Sequence, residues 1–285
     1  MDNYFVSSCK RVKDWICRQF GQKEKKTVHH KKFADGGEVI VWETGRAGEE
    51  AASYENLFLR KEIAGFRTNI RREQSCSIKS LTRDYLYKQL LSSGEYTFDH
   101  MLVIKDPYGE APLTALALFI LEEPACVRVT TKGNLKETDF VTELPKKKEH
   151  RVPILGMYAE KANDIVIEIL DDEGNCVKSH TFTIRTKRLP KSLRNVITVK
   201  KWTDKPAYSN IMINGGVKIH TCVFDIEGKI RYYLSRKPRG YGIFPLSDGH
   251  FFYMEKYISV PSYSNPQTVE SYDMDYFGRV FRTYL

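Results

Sequence analysis

Two stretches near the C-terminal end of the chain nearly repeat one another, FDIEGKIRYYL at Phe224–Leu234 and MDYFGRVFRTYL at Met274–Leu285. Aligned on Asp225 and Asp275, both read apolar–Asp–apolar–x–Gly–basic–β-branched, followed by Arg, Tyr and Leu with a one-residue slip. A strand that runs into Asp-x-x-Gly and resumes on the far side is constrained to double back. The Asp carboxylate suits bonding to the turn amides, and the Gly suits positive φ. The offset of about 50 residues fits one four-stranded propeller blade. Between the copies the order reads inner strand (Tyr241–Leu246), a Ser-Asp-Gly turn, second strand (Phe251–Tyr257), third (Val269–Asp275) and fourth (Arg279–Leu285). The loop ISVPSYSNPQT is inserted between the second and third. A partial blade, Tyr208–Leu234, precedes it. Each blade buries its faces on its neighbours, and three or more repeats are usually needed for stability. The expectation is therefore a fragment or a truncated reading frame.

Upstream the texture changes. Tyr96–Lys187 is dense in β runs punctuated by Asp-Pro, Tyr-Gly, Ala-Pro and Glu-Pro. Ile165, Ile167 and Ile169 alternate with Val166, Glu168 and Leu170; after the DDEGN turn, His180, Phe182 and Ile184 take one face. About seven short strands over roughly ninety residues is the pattern of an immunoglobulin-type sandwich, although no Cys…Trp…Cys core is present. Leu189–Asn195 reads as the linker out of it. Tyr54–Leu91 is helical in pattern, with Ile63, Phe66 and Ile70 on one rhythm and Ile78, Leu81 and Tyr85 repeating it. Ser75–Ser77 is a candidate break and Ser92-Ser93-Gly94 the stop. Phe33–Ser53 offers one short strand, Glu38–Trp42, and otherwise reads as linker.

The expected architecture is mainly β: an N-terminal helical extension, an immunoglobulin-like β-sandwich, then an incomplete β-propeller of about one blade plus a partial blade. The corresponding segments are 1–53 (basic, mobile tail and linker), 54–94 (helical), 95–190 (sandwich) and 195–285 (first blades). At 285 residues with 41% apolar content, the chain has material for more than one core.

The net charge of +9 is concentrated at the start, where Met1–Lys32 holds nine Lys/Arg against three acids. Too few aromatic residues are interleaved with these cations for the successive stacking that single-strand binders require, so nucleic acid is an unlikely partner and a solvated terminus the plainer reading. No apolar run approaches the ~20 residues of a membrane helix. The N-terminus lacks the apolar core and cleavage site of a secretory leader, which reads as cytoplasmic. The six cysteines are far apart and show no zinc spacing, so no cofactor and no metal are expected, and the thiols read as reduced.

The stretches DPYGEAPLTALALFILEEPACVRVTTKG, HRVPILGMYAEKANDIVIEI and the final blade resemble bacterial aryl-sulfate sulfotransferase over about Ser93–Leu285. The likeness is specific in PYGEAPLTAL and generic in the blade turns; Met1 to about Ser53 has no counterpart. The resemblance implies transfer of a sulfuryl group from a phenolic sulfate donor to a phenol acceptor through a transiently sulfated histidine. It also implies a six-bladed propeller and admits a periplasmic or extracytoplasmic location. In the family, the His and Arg residues come from later blades, which implies that this chain alone is inactive. The alternative is a non-catalytic binding or assembly module, and either reading admits a homo-oligomer.

No residue is assigned a catalytic role. His250, in SDGHFF, is expected to pack a turn. His100, His150, His180 and His220 read as half-exposed strand histidines, and His29-His30 as part of the tail. The acid pairs Glu122-Glu123 and Asp171-Asp172 sit in turns, where they stay solvated. The inserted loop supplies the expected substrate-lining residues: Tyr257 and Tyr263 to stack on an aryl ring, and Asn265 to bond a sulfate oxygen.

Overall fold

The computed structural model describes residues 28–33, 36–51, 75–200, 210–213, 220–236, 243–258 and 267–284. The molecule is mainly β. Strands β1 (Val28–Lys32), β2 (Glu38–Trp42), β3 (His100–Lys105), β4 (Ala115–Thr131), β5 (Phe140–Ile154), β6 (Ala162–Leu170) and β7 (Cys176–Arg185) form one seven-stranded sheet. Its path is β1-β2-β3-β4-β6-β7, with β5 paired to β4, and every pairing is antiparallel except β2 with β3.

The sandwich rests on two long strands rather than many short ones. The first half of β4 pairs with β3 and its second half with β6, while β5 follows β4 along both halves. The register breaks between Ile120 and Ala125, at Glu122-Glu123-Pro124. A bulge there bends the hairpin, and Pro124, which has no N–H to give the ladder, is tolerated at such a point. The expected seven short strands are thus five in this stretch, because Pro-punctuated runs that look separate continue through the bend. Lys31 Nζ donates to the Thr183 carbonyl, bringing β1 alongside β7 and making the sheet nearly barrel-like.

Alternation sets the core. Ile165 and Ile167 of β6 and Phe182 and Ile184 of β7 point inward with Met101, Val103, Ala117 and Phe119. The opposite face, Trp42, Leu102, Ile104, Leu116 and Leu118, packs against two helices, α1 (residues 44–51) and α2 (Ser75–Ser92).

The tail-and-linker expectation is corrected here. Val28–Lys32 is a strand, and residues 44–51 are helical because Ala47 and Ala51 are small enough to sit buried against the sheet. The buried face of α2 also differs from the Ile78–Leu81–Tyr85 rhythm. Leu81 is 50% exposed, while Ser80, Thr82, Leu86, Tyr87 and Leu91 face inward, since tertiary partners for Ser80 and Tyr87 fix the helix's rotation (below). Gly94, at φ +70°, ends the helix as expected.

Two further sheets follow. β8 (Asn210–Ile213), β9 (Cys222–Asp225) and β10 (Ile230–Tyr233) run in order β10-β9-β8. β11 (Ile243–Pro245), β12 (Phe251–Ile258), β13 (Gln267–Met274) and β14 (Val280–Tyr284) form an antiparallel meander in chain order. Phe251, Tyr253, Tyr272, Met274 and Val280 bury one face of this meander against Tyr232 and Leu234. Cys222, Phe224, Ile230 and Tyr233 join the core of the seven-stranded sheet. Among the described residues, no helix is long and apolar enough to cross a membrane.

Candidate functional site

Of the expected substrate-lining residues, Tyr257 has its backbone in β12, opposite Thr268. Tyr263 and Asn265 lie outside the described residues. What the described residues do bring together is a polar seam where the seven-stranded sheet meets the two C-terminal sheets.

Its first half is built on HRVPILGMYAEK. Arg231 of β10 enters from the partner sheet and is fully buried. Its Nε donates to the Gly156 carbonyl at 2.6 Å, and Nη1 donates to the Thr138 carbonyl at 2.8 Å and to Tyr158 Oη at 3.0 Å. Nη1 also meets Asp225 Oδ2 at 3.2 Å, and the guanidinium lies 4.0 Å over the Tyr158 ring. Tyr158 in turn donates its hydroxyl to Asp225 Oδ2 at 2.9 Å. Asp225 Oδ1 accepts from the amides of Glu227 and Lys229, both at 3.0 Å, holding the turn closed. A buried charge pair survives only when its remaining hydrogen-bonding capacity is met. Here backbone carbonyls and a tyrosine meet most of it.

The second half is the DPYGEA loop, Asp106–Ala111. Asp106 adopts φ +46°, and its Oδ1 accepts from the Ala111 amide at 2.9 Å. Burial pushes its carboxyl up to about 6, against the lowering effect of that bond. Helix α2 grips the loop. Arg83 Nη1 and the Tyr87 hydroxyl both donate to the Pro107 carbonyl, and the Tyr108 hydroxyl donates to Asp84 at 2.5 Å. Glu110 receives the Ser235 amide on its carbonyl at 2.7 Å and pairs with Arg236 at 2.9 Å. From the meander, the Val280 amide donates to Ser80 Oγ at 2.9 Å, and Arg279 pairs with Asp84 at 2.7 Å. Asp275 Oδ1 accepts the Phe277 and Arg279 amides at 2.9 and 3.1 Å.

His250 occupies the β11–β12 turn. Its Nδ1 donates to Asp273 Oδ1 at 2.9 Å and lies 3.5 Å from Asp248 Oδ2, while its ring stacks on Phe281 at 4.0 Å. These contacts tie the turn to β13 and β14. The guanidinium of Arg279 shares the Phe281 ring, at 4.2 Å, but is held by Asp84.

His100 is half-exposed as expected, whereas the other three strand histidines correct that reading. His150, His180 and His220 are buried. His180 is stacked on Phe33 at 4.0 Å and on Phe98 at 4.5 Å, with Nε2 2.8 Å from Asp99 Oδ1. The bond from Lys178, with a smaller contribution from His180, holds the Asp99 carboxyl below its usual range. His150 is pushed down by burial and bonds the Lys147 carbonyl. His29 and His30 lie on β1 beside Glu43 and Glu38. Cys126, Cys176 and Cys222 are free thiols.

Sequence reasoning missed the seam. Its signal was present, because both of its halves are the stretches that carried the family resemblance. What no sequence reading supplied was their partners, since Arg231 reaches Gly156 and Tyr158, and Ser235 and Arg236 reach Glu110, from elements far away in the chain.

No curated protein matches the chain. Residues 102–187 match the family model of the arylsulfotransferase Ig-like domain, a span that holds both the DPYGEA loop and the Gly156–Tyr158 socket for Arg231. The stretch that builds the sandwich and its side of the seam is therefore an arylsulfotransferase Ig-like domain, the kind found in the N-terminal region of an aryl-sulfate sulfotransferase.

Proposed function

We propose that this chain is the N-terminal portion of an aryl-sulfate sulfotransferase-like protein and that it does not transfer sulfate by itself. The observation that carries the reading is the Ig-like domain match at residues 102–187. The order of β11-β12-β13-β14, a four-stranded antiparallel meander buried on the preceding sheet, supports a propeller blade. In the family reaction a histidine nitrogen attacks sulfur, the S–O(aryl) bond breaks, and the departing phenolate takes a proton. An acceptor phenol oxygen then attacks the same sulfur, the N–S bond breaks, and the phenol's proton is released. That exchange needs a nucleophile, an acid for the leaving group, and cations around the sulfate oxygens.

The surroundings of His250 argue against its serving as that nucleophile here. Asp273 and Asp248 place two carboxylates beside it, which would repel a sulfate ester, and Arg279 is occupied by Asp84. The test is incubation of the purified chain with a chromogenic aryl sulfate and excess phenol, beside a His250→Ala control. The expected result is phenolate release no faster than background in both. Turnover that vanishes in the control would overturn the inactivity and make His250 the nucleophile. Turnover equal in both would place the chemistry on another residue.

A further inference from the structure

An open groove of about 730 Å³ crosses one end of the Ig-like sheet, between the β4 bulge and the β6–β7 turn. Its floor is apolar, with Phe98, Leu121, Pro124 and Val177, and Val177 is 68% exposed. Its rim carries six carboxylates, Asp99, Glu122, Glu123, Asp171, Asp172 and Glu173, against two lysines. Both lysines are already engaged: Lys146 pairs with Asp172 at 2.5 Å and Lys178 with Asp99 at 2.7 Å. Glu122, Glu123 and Glu173 are exposed and form no ion pair among the described residues. An apolar floor inside an acidic rim is the complement of a segment that mixes cations with large apolar side chains.

The chain contains such a segment. Residues 1–27 carry seven Lys/Arg against three acids, and Val12, Trp15, Ile16 and Phe20 lie among Lys10, Arg11, Lys13 and Arg18. We propose that the groove docks this segment of the same chain, residues 1–27, with the apolar side chains on the floor and the cations on the carboxylate rim. The tether is short enough. Phe33, just past β1, stacks on His180, and His180 bonds Asp99 of the rim. From Val28 the chain needs to return only along the length of β1, ~17 Å, or about five extended residues of the 27. Each exposed ion pair contributes little on its own, so binding requires several together with burial of the apolar residues, and added salt weakens it.

The experiment uses the full chain at low micromolar concentration, a water-soluble carbodiimide to join touching Lys and Asp/Glu, and peptide mapping. Mixing unlabelled and nitrogen-15-labelled chains separates links within one chain from links between two. The expected result is intrachain links from Lys10, Lys13, Lys23, Lys25 or Lys26 to Glu122, Glu123 or Glu173, reduced at least fivefold in 0.5 M NaCl. Glu122→Lys/Glu123→Lys should remove them, and the neutral Glu122→Gln/Glu123→Gln should weaken them while circular dichroism stays unchanged. Adding Lys10→Glu/Lys13→Glu to the lysine variant should restore linkage with its polarity reversed. Links only between two chains, links to other surfaces only, the absence of any link, or yields indifferent to the charge reversal would each overturn the proposal. None of these outcomes bears on sulfuryl transfer, so the two readings fail separately.

Discussion

The two Asp-x-x-Gly hairpins are near copies, yet they hold the molecule together in different ways. In both, the Asp accepts two turn amides and the Gly takes φ near +75°: Gly228 at +75° and Gly278 at +73°. Beyond the turn they diverge. The first sends Arg231 into the Ig-like domain as a buried pair with Asp225, both side chains at most 1% exposed. The second instead places Arg279, at the position of Lys229, at the surface of α2, where Arg279 and Asp84 remain 30% and 16% exposed. It uses the turn itself as the contact: a Cβ on Gly278 would lie 2.3 Å from Glu110 Cβ, whereas one on Gly228 would meet Val199 Cγ2 at 3.1 Å. One motif thus docks by a buried charge and the other by the absence of a side chain. Local repetition sets the turn, and the neighbouring surface sets what the turn is used for.

The contrast is most exposed to test at the arginines. Arg231→Met should cost about 3–5 kcal/mol, because it leaves Asp225 buried without its cation. Arg279→Met should cost no more than about 1 kcal/mol, as a partly solvated pair. Denaturant unfolding of the two variants reads this directly. Equal losses would mean that the hairpins dock alike.

The glycines come next and invert the order. Gly228→Ala should cost about 1–2 kcal/mol for the left-handed backbone alone. Gly278→Ala should lose about 1–3 kcal/mol more, because Glu110 must move. A Gly278→Ala cost no larger than that of Gly228→Ala would show that the DPYGEA loop yields freely.

The last contrast is in pH dependence. Burial raises the Asp275 carboxyl from 3.8 to about 6. Between these values the folded chain binds more protons than the unfolded one. The contribution is therefore fully present below about pH 4 and is lost as pH rises through about 6. Two pKa units set a ceiling of ~3 kcal/mol; with Asp275 partly solvated and its turn amides favouring the ion, about 1–2 kcal/mol is expected. Asn at this position keeps an oxygen for the Phe277 and Arg279 amides. Asp275→Asn should therefore flatten the stability profile between pH 4 and 7 and raise stability at pH 7. An unchanged profile in urea melts would assign the slope to Asp106 or elsewhere.

Much of the architecture was legible because it is local. Period-two alternation put Ile165, Ile167, Phe182 and Ile184 in the core. Asp-x-x-Gly and Ser-Asp-Gly marked the hairpins. The strands of the meander could be placed within a few residues, since turn chemistry and side-chain alternation act between near neighbours. The same locality misled wherever partners are distant. Pro124 looked like a strand end because the bulge that accommodates it depends on β5. Residues 44–51 looked like linker because Ala47 and Ala51 gain their helix from a sheet they must lie against. Leu81 looked inward because the rotation of α2 is set by Ser80 and Tyr87 bonding Val280 and Pro107. By itself the sequence determined the turns, the alternating core and the family likeness. The tertiary structure decided that Arg231 is buried, that Glu110 and Gly278 touch, and that His250 lies between two carboxylates. Those outcomes depend on desolvation and on contacts between separate elements, 75 and 93 residues apart for Arg231 with Gly156 and Thr138 and 23 apart for His250 with Asp273, which no local pattern encodes.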